Sequence, residues 1–203
     1  RDRYLLQVPC GKCAECQSSA SNAWMYRSYY EFLDCLQNGG FVLFDTLTYD
    51  NEHLPHVSEF MPVKHDFPCF NPKHVQDFLK RLRIRLERAD YDVVFRYFVS
   101  SEYGTDDRYT HRPHYHILFF VYGDIEPYIF SSFVSDAWFY GRTDGVPYKS
   151  RYYVDTHNLI NLSSTANILR TSNYVTKYVQ KSCTFQRELD KRKIGRASCR
   201  ERV

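Results

Sequence analysis

The spacing of apolar residues along the chain predicts its helices. From about Ser21 to Leu36, apolar side chains recur at helical intervals, and two glycines end the segment. Asn71 and Pro72 are typical of an N-cap and a first helical position. The residues behind them form one apolar stripe: Val75, Phe78, Leu79, Leu82 and Leu86. Further helices are predicted from about Pro127 to Trp138 and from about Thr165 to Lys181.

Strands are predicted where aromatic and β-branched residues form short runs. These runs are Phe41–Tyr49, Val93–Glu102 and Pro113–Val121, and a short strand is expected near Tyr152–Val154. The second and third runs are consecutive and joined by a short polar loop, so they should pair antiparallel. Strands and helices do not alternate in a β-α-β rhythm. The pattern therefore favours an α+β fold, with a central antiparallel sheet and flanking helices.

The 203 residues are enough for one domain with a hydrophobic core, and a hydrophobic content of 43% predicts a folded chain. No apolar run approaches the roughly 20 residues needed to cross a bilayer. Residues 194–203 resemble one translated frame of a short-read sequencing adapter, so we expect them to be non-native. We accordingly expect a single domain over residues 1–193, taken from a longer natural protein.

The net charge of the chain says little about nucleic-acid binding, whereas local clusters of basic residues are more informative. The formal net charge is +3, of which the three arginines and one glutamate of residues 194–203 supply +2. Two basic clusters lie on predicted helices: Lys80, Arg81, Arg83, Arg85 and Arg88 on one, and Arg170, Lys177, Lys181 and Arg187 on or just beyond the other. They are as compatible with ordinary solvated faces as with contacts to nucleic acid.

Three of the seven cysteines form a compact knuckle within residues 8–17. Cys10, Cys13 and Cys16 have the spacing that supplies three thiolates to Zn²⁺, although a fourth ligand is not evident. A reduced turn without a metal explains the motif equally well. The opening residues carry no signal-peptide pattern, which favours a reducing compartment over disulfides.

A candidate metal site comes from two histidines in the third predicted strand. His114 and His116 point to the same face with Cα atoms roughly 6.6 Å apart, close enough to share one ion. A pair of structural histidines is the alternative. Glu102 ends the strand that should pair with this one, and two histidines with one carboxylate can hold a divalent ion with open positions. For phosphate chemistry, Mn²⁺ or Mg²⁺ fits best.

Two tyrosines on the last predicted helix are candidate nucleophiles. Tyr174 and Tyr178 share a face with Lys177 and Lys181, away from the mostly apolar stripe of the same helix. A phenol has a pKa of about 10 in water, and a neighbouring ammonium such as that of Lys177 favours the phenolate. Two surface tyrosines without a catalytic role are the alternative.

Four segments of the chain together resemble the rolling-circle replication initiators of microviruses, especially those of the gokushovirus group. They are residues 8–16 (VPCGKCAEC), 46–55 (TLTYDNEHLP), 112–119 (RPHYHILF) and 174–181 (YVTKYVQK). They occur in the order found in that family and extend over nearly the whole chain outside residues 194–203.

This resemblance implies the mechanism of the HUH endonucleases, a superfamily named for its paired histidines. His114 and His116 would hold the metal, and Tyr174 or Tyr178 would attack a scissile phosphate to leave a 5′-phosphotyrosine and a 3′-OH. The second tyrosine would later release a closed circle. The family fold is a five-stranded antiparallel sheet with the histidines on a central strand. The implied partners are single-stranded DNA at a phage origin and the host replication machinery, in the bacterial cytoplasm.

Two other functions are compatible with parts of the pattern. One is a non-catalytic nucleic-acid-binding module with a zinc knuckle and structural histidines. The other is a relaxase for plasmid mobilisation, but its three-histidine metal set and nucleophile near the N-terminus are not evident in this sequence.

Overall fold

The structure is a computed structural model that describes residues 8–11, 13–104 and 112–143. Helices and strands alternate irregularly along these residues. The elements in chain order are α1 (Ala14–Gln37), β1 (Phe41–Tyr49), a short 3₁₀ turn (Val57–Glu59), α2 (Pro72–Arg88), β2 (Val93–Tyr103), β3 (Pro113–Gly123), α3 (Pro127–Ala137) and β4 (Gly141–Thr143).

The strands form one antiparallel sheet with the order β2-β3-β1-β4. The predicted α+β class is therefore confirmed, and the histidine-bearing strand β3 lies inside the sheet. Four strands are present within the described ranges, against about five expected. The strand predicted near Tyr152–Val154 and the helix predicted for Thr165–Lys181 lie outside those ranges.

One strand was missed by the sequence pattern. No strand was predicted at residues 141–143, but they pair as β4 with β1, with Tyr49 opposite Gly141. A three-residue strand is too short to show alternation. Gly141 is needed for this approach, since a Cβ atom there would clash with the carbonyl oxygen of Thr48.

Helix α1 begins earlier than predicted. It starts at Ala14 rather than near Ser21, and Cys13 is its N-cap, with a sulfur that accepts a hydrogen bond from the Cys16 N–H at 3.4 Å. The first two turns are polar and largely exposed, so apolar spacing did not indicate them. The predicted start of α2 is confirmed, because Asn71 Oδ1 accepts from the N–H of Lys73 at 3.1 Å.

The sheet is packed on both faces because side chains along β3 alternate. Ile117, Phe119 and Val121 lie in the larger core, which contains the complete apolar stripe of α2 and the buried side of α3. Leu118 and Phe120 lie in the smaller core with residues of α1. No helix of the described residues is both long enough and apolar enough to span a membrane.

Candidate metal centre

Three side chains meet on the sheet face that packs against α1. The Nε2 atom of His116 lies 2.9 Å from Oε2 of Glu102, and Nε2 of His114 lies 3.5 Å from the same oxygen. One donor atom from each residue lies within 4.8 Å of the other two. The imidazole rings are nearly perpendicular, at 89°, with centroids 4.9 Å apart. The structure thus brings together the three residues expected from the sequence to bind a metal.

Strand register produces this cluster. Glu102 is the direct partner of His114, as the antiparallel pairing of the two strands predicts, and Ser100 is the direct partner of His116. Residues two apart on a strand share a face, so both imidazoles and the carboxylate project to the same side. The Glu102 side chain is long enough to reach its diagonal neighbour, and it lies closer to His116 than to its direct partner.

His116 is the more buried imidazole, and its ring is held on two sides. The Oγ1 atom of Thr46, its partner on β1, lies 3.0 Å from Nδ1. The ring of Phe44 stacks on it at 15° with a centroid distance of 5.6 Å. If Thr46 accepts the Nδ1–H, Nε2 keeps its lone pair, which is the form that binds a metal.

His114 is oriented by the backbone of Arg112. Its Nδ1 atom lies 3.3 Å from the Arg112 carbonyl oxygen, which can only accept, so this contact favours the neutral tautomer with the proton on Nδ1 and a lone pair on Nε2. The guanidinium of Arg112 in turn donates to Tyr49 O at 3.0 Å, Asp50 O at 2.9 Å and Asn51 Oδ1 at 2.6 Å. Arg112 therefore ties the beginning of β3 to the end of β1.

The donor set fits a divalent cation. With bonds of roughly 2.1 Å, adjacent ligands of an octahedral ion lie about 3.0 Å apart and opposite ligands about 4.2 Å apart. The separations of 2.9 and 3.5 Å between the Glu102 oxygen and the two imidazole nitrogens fall within that range. Because the Glu102 carboxylate can only accept, either an Nε2–H of His116 or a bound cation must lie between the two atoms that are 2.9 Å apart.

A comparison with protein families identifies the chain. Residues 42–183 match the family of the replication-associated protein ORF2. The chain belongs to this family. The matched range contains Glu102, His114 and His116, and it begins after the cysteine knuckle. Together with a phage relative of the chain, this family confirms the resemblance to phage replication initiators.

A phage protein is similar to this chain over most of the chain's length. It is the replication-associated protein VP4 of Bdellovibrio phage phiMH2K, which is 28% identical over 165 residues. The alignment covers 71% of this chain and 47% of the phage protein, so the chain spans about half the length of that relative. No solved structure matches the chain.

The position of the candidate nucleophiles relative to the metal cluster is not described by the structure. Tyr174, Tyr178 and Lys177 fall within the range matched by the family but outside the residues that the structure describes. Their catalytic role stays a prediction.

Sequence reasoning missed the roles of Thr46 and Arg112. The sequence indicated Thr46 and Arg112 only as members of two of the segments that resemble the family. Each touches a different histidine through its Nδ1 atom. The alternation of side chains would have indicated Thr46 once β1 was aligned with β3, because it lies opposite His116.

Two arginines of the basic cluster on α2 make contacts within the protein. Arg81 Nε donates to the Ala137 carbonyl oxygen at 3.0 Å, and its guanidinium lies 4.1 Å from the centre of the Phe139 ring. Arg83 lies over Phe95 at 4.9 Å. These contacts tie α2 to neighbouring elements, whereas the other basic residues of the cluster are exposed: Lys80, Arg85 and Arg88.

Proposed function

We propose that this chain is an HUH-type single-strand DNA endonuclease and ligase that initiates rolling-circle replication of a phage genome. The observation that carries the proposal is the cluster of Glu102, His114 and His116 on an interior strand and its neighbour, within a chain of the ORF2 replication-associated family. The partners would be single-stranded DNA at the origin and the host replication machinery, in the bacterial cytoplasm.

The three side chains would hold Mn²⁺ or Mg²⁺ and leave coordination positions open for oxygen ligands. A bound ion would supply Lewis acidity toward an oxygen of the scissile phosphate. The His114 side chain is 20% exposed and that of His116 10%, so the phosphate would approach from the His114 side. Thr46 and Arg112 would keep each imidazole in the tautomer that presents Nε2.

The nucleophile would be a tyrosine. The phenolate oxygen of Tyr174 or Tyr178 attacks phosphorus and the P–O3′ bond breaks. The leaving 3′ oxygen takes up a proton to become a 3′-OH, and the 5′ phosphate remains esterified to the tyrosine. Lys177, three residues after Tyr174 and directly before Tyr178 on the predicted helix, would favour the phenolate by its charge. In the rejoining step a 3′-OH attacks the phosphotyrosine, and the phenol recovers a proton.

The test is cleavage of single-stranded DNA carrying a phage origin, read as a covalent protein–DNA band on a denaturing gel. We expect the band with Mn²⁺, its absence with EDTA, and its loss in His114→Ala and in the double variant Tyr174→Phe/Tyr178→Phe. Tyr128→Phe is a matched control, since Tyr128 is 66% exposed on α3 and should react like wild type.

The alternative functions give different results. A non-catalytic binding module would shift the DNA on a native gel without a covalent band under any metal. A relaxase would give a covalent band that survives the double tyrosine substitution, because its nucleophile would lie elsewhere. Either outcome would remove the proposed roles of Tyr174 and Tyr178.

A further inference from the structure

A second cluster of metal-binding side chains lies at the beginning of α1. The sulfur atoms of Cys10, Cys13 and Cys16 all lie within 4.8 Å of one another, and those of Cys10 and Cys16 are 3.9 Å apart. Tetrahedral thiolate ligation with bonds of about 2.3 Å separates sulfurs by roughly 3.8 Å. The Cys10–Cys16 separation therefore matches one edge of such a site, and Cys13 Sγ lies close enough to both to complete a face.

Backbone N–H groups point at two of these sulfurs. The Cys13 N–H donates to Cys10 Sγ at 3.3 Å, and the Cys16 N–H donates to Cys13 Sγ at 3.4 Å. Hydrogen bonds of this kind favour the thiolate, the form that binds metals. The turn depends on Gly11, whose φ of +69° is a conformation that other residues rarely adopt.

We propose that Cys10, Cys13 and Cys16 bind one Zn²⁺ ion in a site separate from the Glu102–His114–His116 cluster. Thiolates select zinc, whereas a donor set of imidazole and carboxylate also suits Mn²⁺ or Mg²⁺ for phosphate chemistry. Three thiolates this close repel one another, and a divalent cation among them removes the repulsion. The fourth ligand is a water molecule or a side chain from elsewhere in the chain.

The position of the site suggests what the zinc does. Residues 13–15 and 18–20 are exposed, and the apolar packing of α1 begins near Trp24, whose ring lies 5.3 Å from that of Phe98. The beginning of a helix without much apolar burial is inclined to fray. Zinc would join Cys10, which precedes the helix, to Cys16 in its first turn, and so hold this end of α1.

The other described cysteines do not belong to this cluster. Cys35 and Cys69 are buried, and burial raises the pKa of the Cys35 thiol to about 12 and that of Cys69 to about 11. They are poor ligands, so a substitution of Cys69 controls for the loss of a cysteine as such.

The proposal is tested by titrating the metal-free, reduced full chain with Co²⁺ and recording thiolate-to-cobalt charge-transfer absorption. We expect one equivalent of Co²⁺ to saturate the band and Zn²⁺ to displace it. Cys13→Ser should abolish the band yet leave the fold intact, because serine is also a good N-cap. Its affinity for zinc should fall by more than the roughly 10–100-fold typical of losing a residue that only orients a ligand.

Two controls separate this site from the catalytic one. The band should persist in Cys69→Ser and in His114→Ala, because neither residue belongs to the thiolate cluster. Hydrogen exchange should show that zinc protects the amides near Ala14–Ser21 while leaving those of β3 unchanged. Absence of the band in the wild-type chain, or its persistence in Cys13→Ser with unchanged affinity, would overturn the proposal whatever the result of the cleavage assay.

Discussion

The carboxylate of Glu102 lies 2.9 Å from Nε2 of His116, although Glu102 is the direct strand partner of His114. This diagonal contact gathers three donors that come from only two strands. A shift of register by one residue would move the donors of one strand to the opposite face of the sheet. The site therefore depends on the register in which β2 pairs with β3.

Glu102→Gln should weaken Mn²⁺ binding by at least tenfold, because the amide keeps the shape of the side chain but loses its charge. Isothermal titration with Mn²⁺ measures the change, and circular dichroism checks that the fold is retained. Equal affinity in the variant and the wild type would mean that the carboxylate is not a ligand.

Thr46→Val should weaken Mn²⁺ binding by roughly 10–100-fold, because the variant loses the oxygen that orients His116. The same titration measures it. Thr48→Val is the matched control: Thr48 lies on the same strand and face, but its hydroxyl donates to the Arg142 carbonyl oxygen at 2.7 Å and does not orient His116. Equal effects of the two variants would contradict the orienting role of Thr46.

Arg112→Lys should impair the metal site while leaving the core intact. A single ammonium cannot reproduce the geometry of a guanidinium that contacts Tyr49 O, Asp50 O and Asn51 Oδ1 together. The Arg112 carbonyl would then hold His114 less firmly. We expect a higher Mn²⁺ concentration for half-maximal cleavage, with a near-normal rate at saturating Mn²⁺. A reduced rate at saturation with unchanged metal dependence would show that Arg112 acts on the substrate instead.

Stability should decrease as the pH falls below about 6.5, in part through His74. Burial lowers the pKa of His74, so in this range the unfolded chain binds more protons than the folded one. The aromatic side chains that contact the His74 ring carry no charge that would favour its protonation. The Tyr49 hydroxyl lies 3.2 Å from His74 Nδ1 and stays neutral because burial raises its pKa, and Tyr140 stacks on the ring. Urea unfolding against pH should show a shallower acid decline in His74→Gln. Parallel curves would exclude His74 as a contributor.

Phe119→Ala should destabilise the protein by about 3–5 kcal/mol, because it leaves a cavity in the larger core. Phe119 is fully buried, and the rings of Phe95 and Phe130 lie 5.7 and 5.4 Å away. Phe139→Ala is the control, since that ring is 52% exposed and should cost far less. Urea unfolding compares the two, and equal losses would contradict the assignment of the core.

Much of the fold was predictable because local sequence determines it. Propensity, capping and alternation predict the limits of β1, the start of α2 directly after its N-cap Asn71, and the antiparallel pairing of β2 with β3. The same two-residue period places His114 and His116 on one face of β3, and antiparallel pairing places Glu102 opposite His114. In contrast, β4 and the first turns of α1 were missed, since neither contains enough apolar residues to form a pattern.

The residue types of the candidate metal site could be predicted from the sequence: two imidazoles and a carboxylate on neighbouring strands. The orientation of their side chains depends on the tertiary structure. The contacts of Thr46 with His116 and of Arg112 with the end of β1 join residues far apart in the chain, and they depend on distances that a one-dimensional pattern does not contain. Periodicity assigns a side chain to a face, whereas the packing of several strands determines which atom it presents there.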